Sequence, residues 1–218
     1  MNDLLTFGEY INRLMDRIGY HHDAAKLLFR THKQATPILK FVAAALNRSI
    51  SLVDGFCQLI PDNYICAAPI LRLQLDSVLR FSALSLVTDA EDFATRVAAG
   101  EKISNLKDRD DQQMRDSYLV KKLNDQYPGV DQSYADGCAY VHFSDAHVFH
   151  IQSRTADGRT RIEVGSDVGV EERHCKDAVF MMDQATRMLL IFTEFYLQQK
   201  DQSIMLLPPE WQRSYSTT

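Results

Sequence analysis

The sequence lacks the features that mark membrane, fibrous and secreted proteins. Nowhere do about 18 or more apolar residues follow one another without a charge, so a membrane-spanning helix is not expected. Only 9 of the 218 residues are glycine and 6 are proline, which excludes a collagen-like chain and favours helices. The first residues include acidic side chains and no apolar stretch typical of a secretion signal, so we expect a cytoplasmic protein.

A basic excess and the common enzyme motifs are also missing. The formal net charge is -5, whereas a protein coated for non-specific nucleic-acid binding carries many more basic than acidic residues. The sequence contains no P-loop, no dinucleotide-binding glycine motif, no nucleophile elbow and no H-E-x-x-H zinc helix. These enzyme classes are therefore disfavoured, and no cofactor is expected.

The four cysteines do not have the C-x-x-C spacing of zinc and redox sites. They are Cys57, Cys66, Cys138 and Cys175. Three of them lie in apolar helical stretches, where a free cysteine acts as a small hydrophobic side chain. This usage is typical of a protein in a reducing compartment.

Most of the chain shows helical periodicity. Hydrophobic residues make up 45% of the sequence and charged residues 24%, which is enough apolar surface for one domain with a substantial core. Apolar residues recur at helical spacing, and capping or turn residues separate the segments, beginning with a capping box of Thr6 and Glu9. The predicted helices span residues 4–20, 24–33, 37–59, 65–87, 90–99, 118–127, 130–145 and 171–200.

Two stretches interrupt this helical pattern. Residues 21–23, His-His-Asp, are expected to break the first helix. Residues 102–116 are dense in alternating charge with few apolar anchors, so we expect an exposed loop or a short solvated helix without a functional role.

A change of period near residue 150 predicts a β-hairpin. Residues 149–154 and 160–164 alternate apolar and polar side chains around Asp157-Gly158, a strong hairpin signal. The sequence therefore predicts an all-α, multi-helix bundle in residues 1–205, with a small β-hairpin inserted before the long C-terminal helix. Residues 206–218 form a polar tail, from which Trp211 can dock onto the bundle.

The first candidate site is a line of charged residues on the otherwise apolar helix 65–87. Arg72, Asp76 and Arg80 fall within an arc of roughly 80° on this helix. Arginine binds carboxylate or phosphate through two parallel hydrogen bonds, and Asp76 can hold either guanidinium in position. Such a line is a ligand site or, alternatively, a structural ion network, and we keep both interpretations.

The second candidate is His142, which lies in the segment S-Y-A-D-G-C-A-Y-V-H-F-S. On a regular helix it shares a side with Ala135, Ala139 and Ala146, and small residues let a neighbouring helix approach closely. We therefore expect the imidazole at a tight contact, where it acts in catalysis or is a hydrogen-bonded core histidine. Tyr140 and Ser144 are its neighbours but point elsewhere on such a helix.

A metal site and a basic patch are two further possibilities in the sequence. Cys138, His142, His147 and His150 cluster, but their spacing matches no structural zinc pattern, so no metal site is expected. The hairpin arginines Arg154, Arg159 and Arg161 form the best basic patch. Exposed charges on a hairpin more often serve solubility and protect the sheet edge.

Residues 41–144 contain motifs of a known protein group. Residues 45–81 resemble the paired helices of a broad group of uncharacterised bacterial all-helical proteins, in which an R-x-x-x-[DE] pair lies on the second helix. A Y-V-H-x-S stretch follows later in that group, and residues 140–144 fit it. The group is similar to the HEPN superfamily, helical bundles found in toxin and anti-phage systems.

The resemblance implies a polar site between helix 65–87 and the Y-V-H-F-S helix. Its candidate catalytic residues are His142, Arg72 and Asp76, and its candidate substrate-binding residues are Arg80, Tyr140 and Ser144. One departure concerns the R-x(4–6)-H motif of active HEPN ribonucleases, which is absent before His142. Arg17 and His22 have that spacing, but they lie about 140° apart on a helix, and we interpret the match as chance.

Two functional hypotheses follow. The first is a HEPN-like module that cleaves RNA or binds a nucleotide in a toxin or anti-phage system, with RNA or a nucleotide as its partner. The second is a non-enzymatic interaction or scaffold protein, in which the same arginine, aspartate and histidine residues form a structural network. In both cases we expect self-association through an apolar helix face and no membrane contact.

Overall fold

The computed structural model describes residues 5–165, 170–209 and 211. It confirms the predicted all-α bundle with a β-hairpin before the long C-terminal helix. The helices are α1 Phe7–Thr31, α2 Pro37–Leu59, α3 Tyr64–Ser82, α4 Ala90–Ala98, α5 Asp116–Gln126, α6 Val130–Val141, α7 Asp145–His150 and α8 Glu172–Gln198. The hairpin consists of antiparallel strands β1 Gln152–Arg154 and β2 Thr160–Ile162.

Side-chain caps start several of these helices. The predicted capping box at α1 is confirmed, since the Glu9 backbone N–H donates to the Thr6 hydroxyl and the Glu9 carboxylate accepts from the Thr6 backbone. Thr36 caps α2 in front of Pro37, and Asn63 caps α3. Each cap satisfies a backbone N–H that has no partner inside its own helix.

The predicted break at residues 21–23 is wrong, because α1 runs without interruption from Phe7 to Thr31. His21 is fully buried at the middle of this helix, and its Nδ1 lies 2.9 Å from the Arg17 carbonyl oxygen. A carbonyl can only accept, so Nδ1 donates and Nε2 accepts from the Ser49 hydroxyl at 2.8 Å. His21, which was expected to break the helix, therefore has a hydrogen-bond partner for each ring nitrogen inside the bundle.

Helices α1, α2, α3 and α8 pack side by side around the main core. Helix α3 lies against α2 and α8 on one side and against α5 and α6 on the other, as its apolar circumference predicts. The buried side chains at its centre include Leu75, Val78 and Leu79. Among the described residues, no helix has both the length and the apolar character needed to cross a membrane.

A buried polar chain links these four helices at their centre. From His21 on α1 it passes to Ser49 on α2, whose hydroxyl accepts from the Gln74 amide on α3 at 2.6 Å. The same amide approaches the Thr186 hydroxyl on α8 at 3.4 Å. All four residues are fully buried. Such a chain favours one relative placement of the helices, since any shift leaves a buried polar group unpaired.

The chain after α8 folds back onto the bundle. Leu207 and Trp211 are buried, and the Trp211 ring packs against Tyr20 with centroids 5.1 Å apart. The predicted docking of Trp211 is therefore confirmed. The hydrophobic core reaches past residue 205, where the sequence placed the end of the domain.

Candidate functional site

The charged line on α3 forms one ion network with a residue from α5. Asp76 lies between the two arginines of its own helix, with its Oδ1 3.3 Å from Arg80 Nε and 3.9 Å from Arg72 Nη1. Asp116, the first residue of α5, contacts both arginines from the neighbouring helix, at 3.8 Å from Arg72 and closer to Arg80. The network therefore ties α5 to α3.

Tyr134 extends the network to α6. Its hydroxyl donates to Asp116 Oδ2 at 2.8 Å and accepts from Arg72 Nη2. Burial, and then the bond to Asp116, raise the pKa of Tyr134 to about 12, so the phenol stays protonated as a donor. Partial burial alone would raise the pKa of the Asp116 carboxyl, but the Tyr134 hydroxyl and the arginines outweigh it and lower that pKa.

The Arg72 side chain contacts three residues of α6. Its Cζ lies 3.7 Å from the centroid of the Tyr134 ring, and its Nε donates to the Cys138 Sγ at 3.4 Å. A Cβ at Gly137 would lie 3.1 Å from the Arg72 Cβ, so this glycine allows α6 to pack directly on the arginine. Tyr134, Gly137 and Cys138 are spaced as one helix face, and this face contacts α3.

We refer to Arg72, Asp76, Arg80, Asp116 and Tyr134 as the arginine network. Its two guanidinium groups are balanced by two carboxylates. The Arg72 side chain is only 14% exposed, whereas that of Asp116 is 40% exposed. Of the fully buried side-chain atoms in the described residues, the Nη1 of Arg80 is the one in the network without a hydrogen-bond partner. The network is thus neutral, and each arginine is paired with carboxylates of the same chain.

His142 lies outside this network, and the prediction that it sits at a tight contact is wrong. Helix α6 ends at Val141, and His142 is the cap residue, with extended backbone (φ -108°, ψ 146°) and an exposed side chain. It is five residues beyond Gly137, which corresponds to about 7.5 Å along the helix axis. Among the described residues, its imidazole makes no hydrogen bond, ion pair or ring contact.

The reason is that α6 packs on a different face from the one expected. Ala135 is exposed, and the contact with α3 is made by Tyr134 and Gly137 instead. The helix stops early because the Ser144 hydroxyl donates to the Ala139 carbonyl at 2.7 Å and caps α7. Ser144 is therefore engaged in a helix cap, whereas the sequence made it a candidate for substrate binding.

Tyr140 lines a separate small cavity of about 300 Å³ between α3, α6 and α8. Its hydroxyl accepts from Tyr64 at 3.4 Å, and its ring stacks on His150 with centroids 5.6 Å apart. Burial, first of all, raises the pKa of the Tyr64 hydroxyl. Asp136 and Asp177 also line this cavity, and their charge disfavours a phosphate there.

Sequence reasoning identified the α3 half of the network and missed the rest. Arg72, Asp76 and Arg80 do come together, but Asp116 fell in the stretch expected to have no functional role, and Tyr134 received no role. The only sequence signal for the contact between α6 and α3 was the spacing of Tyr134, Gly137 and Cys138, which places them on one helix face. Within the described part of the chain, no three His, Cys, Asp or Glu residues are grouped as metal ligands.

Comparison with known proteins adds no further identification. No protein-family model matches this chain, and the searches of curated proteins and of solved structures also yielded no match.

Proposed function

We propose that this protein is a non-enzymatic helical interaction module in which the arginine network is structural. The observation that carries the proposal is the mutual pairing of the network: Arg72 and Arg80 are matched by Asp76 and Asp116 inside the chain. An arginine that binds a ligand phosphate needs unoccupied donors aimed at the ligand. Arg72 instead directs its donors at Tyr134 and Cys138.

An exposed apolar patch on the neighbouring segment supports a role in binding another protein. Phe143 is 87% exposed and Val164 is 94% exposed, next to α7 and the hairpin. We refer to the exposed apolar residues of the segment from the end of α6 to the hairpin as the patch; they are Val141, Phe143, Val148, Phe149, Ile162 and Val164. So many exposed apolar side chains along one segment are typical of an interaction surface.

The partner we propose for this patch is a second copy of the chain. The described hairpin has two strands only, so its outer edges have no partner strand within that part of the chain. Two-fold symmetry brings like edges together in antiparallel fashion and buries the same patch on both copies. We propose that this assembly is cytoplasmic, since Cys57, Cys66 and Cys138 are free thiols and a reducing compartment keeps thiols in that state.

Sedimentation of the full-length protein tests the assembly. The wild type is expected to be dimeric, and the double variant Phe143→Ser, Phe149→Ser monomeric with unchanged helical circular dichroism. Phe29→Ser, which removes from α1 a phenyl group about as exposed as that of Phe149, is the matched control and should remain dimeric. A monomeric wild type, or a dimer in both variants, would contradict self-association through the patch.

A second candidate function is RNA cleavage or nucleotide binding in a HEPN-like module. It is favoured by the exposed imidazole of His142 and by the Arg80 Nη1 that lacks a partner within the described residues. His142→Ala separates the two functions, because an exposed side chain can be removed without loss of stability. If the wild type cleaves RNA and His142→Ala does not, at equal melting temperature, the enzyme hypothesis is correct. If purified wild type leaves RNA intact, the structural interpretation stands.

A further inference from the structure

A cleft of about 760 Å³ opens between the C-terminal half of α8, the turn after α3 and the end of α5. Its volume lies within the range of about 300 to 1,000 Å³ that small-molecule sites occupy. It shares no residue with the arginine network, and it lies apart from the exposed patch on α7 and the hairpin. The cleft is therefore distinct from both the arginine network and the patch.

One wall of the cleft is aromatic. Phe192 and Phe195 are one turn apart on α8, and the Tyr127 ring meets Phe192 edge to face with centroids 5.9 Å apart. Phe195 is 56% exposed, on the side of α8 opposite the buried Leu189 and Leu190. A flat apolar ring bound against Phe195 would remove this surface from water.

The opposite wall is held in place by hydrogen bonds within the protein. The Arg109 guanidinium donates to the carbonyl oxygens of Ser85 and Leu86, the latter at 3.0 Å. Asp108 accepts from the Tyr118 hydroxyl and from two backbone N–H groups at 2.8 and 2.9 Å. These charges are engaged in shaping the turn, so the cleft is preformed and loses little entropy on binding.

The charges around the cleft cancel. Arg109 and Lys122 are offset by Asp108 and Asp110, and Lys122 also lies over the Tyr118 ring at 5.5 Å. A balanced lining of this kind gives no net attraction for an anion or a cation. The ligand that fits it carries no net charge.

Two side-chain amides add further polar groups to the cleft. Gln126 and Gln199 line the cleft, and within the described residues neither side-chain amide makes a hydrogen bond. Each amide offers both donors and an acceptor. We propose that the cleft binds an uncharged, planar heteroaromatic molecule, with its ring against Phe192 and Phe195 and its donor–acceptor edge facing the two glutamines.

Titration of the full-length protein with quinazolin-4-one, a neutral bicyclic lactam, tests this site by NMR. Saturable shifts are expected at the backbone amides of α8 around Phe195 and Gln199. A carboxylated derivative of the same ring should bind more weakly, because the lining has no unbalanced cation. Absence of saturable shifts with quinazolin-4-one, or tighter binding of the carboxylate, would overturn the proposal.

Variants on the cleft wall locate the binding. Phe195→Ser and the double variant Gln126→Ala, Gln199→Ala should each weaken quinazolin-4-one binding by about tenfold. All three side chains are exposed, so the fold should persist, which circular dichroism checks. Phe180→Ser, at another exposed phenylalanine of α8, should bind like the wild type. Equal affinity of the Phe195 and Phe180 variants would place the probe elsewhere and refute the assignment.

Discussion

The guanidinium of Arg72 lies over the ring of Tyr134, with its Cζ 3.7 Å from the ring centroid and Nη2 donating to the hydroxyl of the same residue. One tyrosine thus contacts the cation with both its ring and its oxygen. Since Arg72 belongs to α3 and Tyr134 to α6, this contact joins the central helix to the segment that leads into the hairpin.

A double-mutant cycle on this pair measures its contribution to stability. Tyr134→Phe keeps the ring but removes the hydroxyl that is hydrogen-bonded to both Asp116 and Arg72. We therefore expect a loss of about 1–3 kcal/mol in unfolding free energy. Arg72→Met together with Tyr134→Phe should reveal coupling of about 1 kcal/mol or more. Urea denaturation provides the values.

The matched control is the ion pair Arg96–Glu101, which is bidentate at 2.8 Å but exposed. Exposed pairs contribute about 0–1 kcal/mol, so its cycle should give a smaller coupling. If both cycles give the same coupling energy, the arginine network does not contribute significantly to the unfolding free energy.

Gly137 is expected to be required for the packing of α6 on α3. A valine there would place methyl groups inside the space of the Arg72 side chain, since a bare Cβ already lies 3.1 Å from it. We expect Gly137→Val to lower the unfolding free energy by about 1–3 kcal/mol. Gly19 is also helical but has nothing within 4 Å of such a Cβ, so Gly19→Val is the control in thermal melts. A melting temperature of Gly137→Val equal to that of the control would refute this account.

Acid is expected to weaken the bundle through His21. Burial, as the largest cause, lowers the pKa of His21 from 6.5 to about 4. Between these values the unfolded chain takes up a proton and the folded chain does not, so stability is full above about pH 6.5 and falls as the pH falls. Integrated over this window the loss is on the order of 3 kcal/mol.

Urea denaturation at pH 7, 5.5 and 4.5 measures this loss, with His21→Gln as the reference. Glutamine can still donate to the Arg17 carbonyl and accept from Ser49, but it does not titrate in this range. The difference in unfolding free energy between wild type and variant should therefore shrink or change sign as the pH falls. If this difference in unfolding free energy does not change with pH, His21 has the same pKa in the folded and unfolded chains, which contradicts the prediction.

Trp211 is expected to anchor the end of the described chain. Two guanidinium groups lie over its ring, with the Cζ of Arg17 4.3 Å and the Cζ of Arg187 4.7 Å from its centroid. It is 6% exposed, so Trp211→Ala should cost about 3 kcal/mol. Because it is the only tryptophan, its fluorescence reports docking directly.

Arg187→Ala should shift this emission to longer wavelength, since removal of a guanidinium that lies over the ring lets more solvent reach the indole. Phe180→Ala, at an exposed position of the same helix, should leave it unchanged. Wild-type emission equal to that of urea-unfolded protein would contradict the docked position.

Much of the fold could be predicted because helices leave a local signature. The apolar stripes of α2 and α3, the Thr6–Glu9 capping box and the Asp157-Gly158 hairpin turn each depend on residues a few positions apart. The central position of the α3 helix is a long-range feature that was also predicted correctly. It follows from apolar residues on nearly every side of that helix, which require neighbours on several sides.

The site was predicted only in part, because side chains from distant segments complete it. Arg72, Asp76 and Arg80 share a helix, so their proximity follows from spacing alone. Asp116 and Tyr134 approach them only when α5 and α6 pack on α3, and nothing in the charge-rich stretch before α5 indicates that pairing. His142 was misplaced because the end of α6 depends on a cap by Ser144, two residues further on.

The amino-acid sequence by itself determined that this chain forms helices, where most of them begin, and that one of them lies at the centre. Periodicity and capping are local properties of a chain, so they can be read without coordinates. Tertiary structure alone decided which charges meet, that His21 lies inside the bundle, and that His142 lies outside the arginine network. Those outcomes depend on which helix faces come together, and that choice reflects the packing of the whole core.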